Sequence, residues 1–205
     1  MDQNSFDCRI YQKLPQIVLG FHGCDQSVVN KILNSHEEHL KPSNNSYDWL
    51  GDGVYFWLND PQRAYEWAVD SSKRKNKIKR PAVIGAIIDL GMCLNLCEQE
   101  SISLLKKSYD ELSSIFKLLN LDINREFRNK VPDSGGFMLL RELDCLVIRH
   151  VHDMVEEKGI SFDTVCGYFQ EGNDAYLGSG IREKSHIQVC VRNTDCIKGY
   201  FLPRK

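Results

Sequence analysis

Three short stretches of this 205-residue chain carry side chains and turns suited to holding or attacking a ligand. The first is Gly20-Phe21-His22-Gly23, where an apolar run ends in His22-Gly23. An imidazole hydrogen-bonds through either nitrogen, and a glycine lets the backbone itself approach a ligand. The second is Gly51-Asp52-Gly53-Val54-Tyr55-Phe56, a glycine-rich turn feeding aromatics whose faces can hold a flat cation. The third is the alternating stretch Lys184 to Val191, which carries Gln188; Glu183 lies just before it and Glu171 opens the preceding loop. Singly, each has an ordinary structural use. A histidine at a strand end is usually a satisfied structural residue, a Gly-x-Gly turn usually serves a hairpin, and a polar residue in an alternating strand usually faces water.

The elements that must position these residues follow from periodicity. Ile17 to His22 reads as a buried strand, followed by a helix through Val28, Val29, Ile32 and Leu33 with Asp25 or Ser27 as its cap. Lys41 to Tyr47 is a polar loop; Asn59-Asp60-Pro61 starts a helix carrying Ala64, Tyr65, Trp67 and Ala68. Ala82 to Leu90 reads as a central strand stopped by Gly91. Helical spacing runs from Ser103 to Leu121 and from Phe137 to Glu156. Strands are expected at Asp163 to Gln170, Ser185 to Arg192 and Cys196 to Leu202, with a glycine-rich loop from Glu171 to Glu183. Strands at both ends with helices between, and no βαβ rhythm, indicate an α+β fold in a single domain over residues 1–205.

Composition excludes several classes. A net charge of −2 demands neither a nucleic acid nor a membrane as partner. No apolar run approaches the length of a membrane helix, and Met1 to Leu14 lacks a signal-peptide stretch, so a reduced cytoplasmic setting is expected. Among the eight cysteines, Cys93, Cys145, Cys166, Cys190 and Cys196 sit in apolar segments and read as small core residues. No metal is expected. Cys93 and Cys97 have no second pair at zinc spacing, His36 and His39 are three apart where the zinc-protease motif needs four, and His150 and His152 follow a helical pattern.

Taken together and in this order, His22-Gly23, Gly51-x-Gly53-Val54-Tyr55-Phe56 and the strand with Gln188 resemble the histidine–tyrosine–glutamate signature of ADP-ribosyltransferases. The similarity is to the branch with diphtheria toxin and the poly(ADP-ribose) polymerases, and it spans roughly residues 17 to 202. The resemblance implies a split β-sandwich, two small sheets with flanking helices and an NAD⁺ cleft between them. NAD⁺ is then the co-substrate, with His22, Gly23, Gly53, Tyr55 and Tyr65 in the cofactor site. Gly23 would hold the carboxamide through its backbone, His22 a ribose hydroxyl, and Tyr55 and Tyr65 the two nicotinamide faces. His22, Tyr55 and Gln188 would be the catalytic set. Gln188 stands where the family has glutamate. A glutamine keeps the hydrogen bond to a ribose hydroxyl but supplies neither charge nor base for an oxocarbenium-like centre. That favours one transfer over chain elongation, and Glu183 and Glu171 stay open as alternative carboxylates.

The implied activity is mono-ADP-ribosyl transfer to a macromolecule, RNA, DNA or protein, in a bacterial toxin or defence effector with an antitoxin protein as partner. NAD⁺ glycohydrolysis and an inactive NAD⁺- or ADP-ribose-binding module are the alternatives. Acceptor contacts are expected from Lys73, Arg74, Lys75 and Lys77 of the basic run 73–80 and from Tyr176 and Glu183 at the loop before the last catalytic strand.

Overall fold

The computed structural model describes residues 17–35, 37–75 and 78–204, with the backbone alone at Arg74 and Lys75. Met1 to Leu14, His36 and Lys77 lie outside the described residues. The first strand runs three residues beyond His22, as β1 (Ile17–Asp25). Asp25 is the cap of α1 (Gln26–Leu33); its carboxylate accepts from the Ser27 N–H at 2.9 Å. Its other oxygen accepts from the Lys79 and Arg80 amides at 2.7 and 2.9 Å, so one side chain ties the helix start to the approach of a distant strand.

There follow β2 (Val54–Leu58), α2 (Pro61–Lys75), β3 (Pro81–Asp89), β4 (Cys93–Asn95), α3 (Gln99–Leu118), the short α4 (Ile123–Glu126) and the hairpin β5 (Asn129–Pro132) and β6 (Met138–Arg141). The chain ends in α5 (Glu142–Glu156), β7 (Thr164–Phe169), β8 (His186–Val191) and β9 (Ile197–Phe201). The helix expected from Phe137 starts five residues later. Met138 to Arg141 pairs with Asn129 to Pro132 instead, and a short apolar run is ambiguous between the two periods. β4, three residues long, is too short to show a period.

Among the described residues, seven strands form one sheet in the order β4-β7-β8-β2-β1-β3-β9, antiparallel except for β4 beside β7. Phe56, Ile84, Ile88, Val189 and Val191 fill one face, against Val29 and Ile32 of α1. On the other face Ala64 of α2 packs on Phe21 and Trp57. Val151 of α5 meets Val165 and Cys190 further along it, and α3 and α5 join through Leu112 and Val147. The architecture is thus α+β. The expected pair of small sheets is hydrogen-bonded into one, yet its two halves barely join. β1 pairs with β3 along all nine of its residues, but with β2 only at Gly20–Leu58 and Phe21–Trp57.

Candidate active site

Beyond Phe21–Trp57 the two strands part, and His22, Gly23 and Tyr55 lie at this opening. The Leu19 carbonyl accepts from the Asn59 amide at 2.9 Å, so it points toward β2. In an antiparallel strand alternate residues direct both backbone groups to the same side. Gly23, four residues on, therefore turns its N–H and C=O into the opening, past the last residue of the ladder. Its lack of a side chain is also structural, because a Cβ there would overlap the Ala64 carbonyl of α2.

Across the opening, His22 Nδ1 lies 2.8 Å from the Tyr55 carbonyl oxygen. A carbonyl only accepts, so Nδ1 carries the proton and Nε2 keeps its lone pair. Burial lowers the His22 pKa, against the opposing pull of that carbonyl, and keeps the ring neutral. Tyr55 is fixed by its hydroxyl, which donates to Gly51 O at 2.7 Å and accepts from Leu50 N at 2.8 Å. Burial, reinforced by nearby Cys190, pushes that phenol pKa far up. The Gly51 and Gly53 turn thus closes on the tyrosine it precedes. Gly51 has φ +78°, and a Cβ on Gly53 would sit 2.5 Å from the Val191 carbonyl.

Gln188 lies opposite Trp57 on one side and Gly167 on the other, so it shares their face of the sheet and is 6% exposed. His22 projects from the opposite face, edge-on to Phe56 with ring centres 5.9 Å apart. The structure gathers His22, Gly23 and Tyr55 around one opening and sets Gln188 on the strand next to Tyr55. It does not pair Tyr55 with Tyr65; among the described residues no ring contact joins them, and Tyr65 is 44% exposed on α2. The alternative carboxylates are engaged elsewhere. Glu171 accepts from Arg63 Nη2 at 2.8 Å, a guanidinium that also reaches Glu66 at 2.9 Å. Glu183 accepts from the backbone and side-chain amides of Asn173, at 3.3 and 3.2 Å.

Sequence reading assigned no role to the cluster beside Gln188. His186, two residues earlier on the same face, packs among Trp49, Phe169 and Trp57 at 6.0, 5.9 and 6.2 Å between ring centres. Its Nδ1 donates to Lys184 O at 2.7 Å, and burial lowers its pKa to about 4. His186 Nε2, Trp57 Nε1 and Arg63 Nε are buried without a hydrogen-bond partner among the described residues. The signal was the spacing of two in an alternating strand, which puts His186 and Gln188 side by side.

Of the acceptor candidates, Tyr176 is 66% exposed at the loop tip, and Lys73 is exposed on α2. The side chains of Arg74 and Lys75, and all of Lys77, lie outside the described residues. Lys73 follows Arg63 by ten residues, so it lies about 15 Å along the helix from the Arg63–Glu171 contact. Among the described residues no group of three potential metal ligands occurs, the seven cysteines are free thiols, and no helix is long and apolar enough to cross a membrane.

No family model matches the chain, and no solved structure does. The chain is similar to an uncharacterized protein of Methanocaldococcus jannaschii, 28% identical over 206 residues, covering 87% of this chain and 83% of the relative.

Proposed function

We propose that the chain is an NAD⁺-dependent mono-ADP-ribosyltransferase, with an ADP-ribosyltransferase-like fold spanning the described sheet and helices. The observation that carries this reading is the opening between β1 and β2, with Gly23 beyond the ladder on one lip and Tyr55 bonded to His22 on the other. A nicotinamide carboxamide needs one acceptor and one donor, and a single backbone unit at Gly23 supplies both. The neutral His22 keeps Nε2 to accept from a ribose hydroxyl. Tyr55 offers a ring whose position the Gly51 turn already fixes, so no ordering cost falls on binding.

The reaction breaks the bond between nicotinamide nitrogen and ribose C1′ and forms one from C1′ to an acceptor atom. Neutral nicotinamide leaves with the bonding pair, and the acceptor loses a proton. Gln188 can hold a ribose hydroxyl during this step but brings no charge to the developing cation, which suits one transfer to a good nucleophile. The test is nicotinamide release from NAD⁺ by the purified protein, with and without cell extract. Labelled NAD⁺ followed by separate protease and nuclease digestion of the product then identifies the acceptor class. Release in neither condition would overturn the reading.

A second reading is an NAD⁺- or ADP-ribose-binding module without turnover. It is favoured by Gln188 and by the engagement of both nearby glutamates, Glu171 with Arg63 and Glu183 with Asn173. Calorimetric NAD⁺ binding without nicotinamide release would select it.

A further inference from the structure

We infer that His186 is a positioning residue for Gln188: together with Trp57 and Arg63 it holds one buried water, and that water orients the Gln188 side-chain amide. His186, Trp57 and Arg63 are 5%, 5% and 8% exposed. Each keeps one buried nitrogen without a hydrogen-bond partner among the described residues: His186 Nε2, Trp57 Nε1 and Arg63 Nε. The ring centres of Trp57 and His186 are 6.2 Å apart. Three consecutive hydrogen bonds bring Arg63 to the histidine. Arg63 Nη2 donates to the Glu171 carboxylate at 2.8 Å, the Lys184 amide donates to Glu171 O at 3.0 Å, and His186 Nδ1 donates to Lys184 O at 2.7 Å. Ala64, next to Arg63, packs on Trp57. Burial lowers the His186 pKa and the Arg63 charge lowers it further, so the guanidinium is close enough to act on the ring.

The count of hydrogen-bonding groups selects the occupant. His186 Nδ1 carries the ring proton, so Nε2 only accepts, whereas the indole Nε1–H and the guanidinium Nε–H only donate. An anion would meet the Nε2 lone pair, and a cation would meet the two N–H groups. Two donors and one acceptor match one water, which accepts twice and donates once. A buried polar group left unpaired is costly, and internal water is the usual remedy where two to four such groups meet. The other neighbours of the His186 ring, Trp49 and Phe169, are aromatic walls.

One proton of the water is then left over. Gln188 stands where it can be taken: it lies directly opposite Trp57 in the sheet and two residues from His186 on the same face. Its amide has no partner among the described residues, and neither of its polar atoms is among the buried unpartnered ones. With Oε1 accepting from the water, the NH₂ end is the one left for a ligand. Gln188 then donates to an oxygen of that ligand and does not accept its proton. As a ribose contact this rests on the transferase reading above; the water and the fixed amide stand without it.

The test is solution NMR on the full ¹⁵N-labelled chain without NAD⁺, with the Trp57 indole signal identified by its loss in Trp57→Phe. In the parent, the indole proton should show a nuclear Overhauser effect to water of the sign that marks a long-lived bound molecule. His186→Phe keeps a ring and removes the acceptor, so it should abolish that effect and shift the Gln188 side-chain NH₂ signals. His186→Gln restores an acceptor and should recover both. Nicotinamide release should fall at least about fivefold in His186→Phe and return in part in His186→Gln. Absence of a long-lived water at the indole of the parent overturns the inference, and that measurement needs no variant of His186 to fold. Gln188 signals that a folded His186→Phe leaves unmoved overturn it too, as does unchanged release in a variant that has lost the water. A bound water and a shifted Gln188 amide in a protein that releases no nicotinamide would retain the network and remove the transferase. Release by a parent without the bound water would retain the transferase and remove the network.

Discussion

His22 Nδ1 donates to the Tyr55 carbonyl oxygen across the stretch where β1 and β2, adjacent in the described sheet, run without a backbone ladder. One side chain replaces a missing rung. The same bond keeps the imidazole in a single tautomer and sets the spacing of the two lips that are proposed to hold NAD⁺.

Removing that bond should therefore impair chemistry and the shape of the opening together. His22→Ala is expected to lower nicotinamide release at least about tenfold, equivalent to one positioning interaction of about 1.4 kcal/mol. It should also lower stability by about 1 kcal/mol, one net hydrogen bond. Tyr55→Phe leaves the ring but strands the Leu50 amide and Gly51 carbonyl, so its larger cost, about 1–3 kcal/mol, should fall on stability. Chemical denaturation and nicotinamide release on the same preparations check both. A His22→Ala protein with full activity would remove the opening as the site.

Gln188→Glu and Gln188→Ala separate hydrogen bonding from charge. Alanine deletes the bond to the ribose and should reduce release at least about tenfold. Glutamate restores an anion beside the reacting carbon, but in a position only 6% exposed, where burial raises a carboxyl pKa. Its gain over the parent should therefore grow as pH rises. Equal activity of Gln188→Ala and the parent would transfer the role to another group.

Glu171 fastens the stem of its loop. Arg63, with its side chain 9% exposed, holds it at 2.8 Å. Arg63→Met should cost about 3 kcal/mol, the scale for leaving one partner of a buried pair alone, while Glu171→Gln keeps an acceptor and should cost less. Urea denaturation gives both values. If Glu171→Gln leaves stability unchanged and abolishes nicotinamide release, Glu171 is the catalytic carboxylate instead.

How much of this was legible beforehand depended on the range of the pattern. The strands carrying His22, Tyr55 and Gln188 have long alternating or apolar runs and were placed from sequence, as was the proline start of α2. The strand Met138–Arg141 was read as helix because its leucines continue the spacing of α5, and only pairing with Asn129–Pro132 decides otherwise. Which face a side chain takes was equally out of reach. The pattern of β2 gives no sign that the Tyr55 hydroxyl closes on the turn before it. Arg63 gave no sign of its grip on Glu171, 108 residues away, because nothing local encodes such a contact.

Acid should weaken the fold before its carboxylates titrate. Burial lowers the His152 pKa from 6.5 to about 4, with Arg192 adding to the shift and Asp52 opposing it. Neither ring nitrogen has a partner among the described residues. The unfolded chain thus binds a proton at this histidine between those pH values and the folded one does not, so stability falls as pH drops from 6.5 toward 4 and levels off below. His186, also lowered to about 4, adds a second contribution of the same sign. Each contributes up to about 1.4 kcal/mol per pH unit in that window. His152→Phe should remove one share of the slope, measured by urea denaturation at a series of pH values. An unchanged slope would mean His152 titrates alike in both states.

The basic run at the far end of α2 makes the last separable prediction. Lys73 lies about 15 Å along the helix from Arg63, which holds Glu171 at the stem of the loop 171–185. Phosphate contacts carry no sequence information, so with a nucleic acid as acceptor the run should add general affinity and no positional selectivity. With Lys73, Arg74, Lys75 and Lys77 all changed to glutamine, transfer to a long single strand should weaken across sequences. Its salt dependence should shrink too, by about 0.7 in slope for each phosphate no longer neutralised. Transfer to a dinucleotide should change least, because it offers the run the fewest phosphates. NAD⁺ hydrolysis without acceptor should also hold, since none of the four changed side chains belongs to the set proposed to hold NAD⁺. Measuring transfer to both lengths and hydrolysis in the same variant, at low and moderate salt, separates the outcomes. A parallel fall in all three would mean that the run supports the fold or the NAD⁺ site. Unchanged transfer to the long strand would mean that the acceptor never reaches the run.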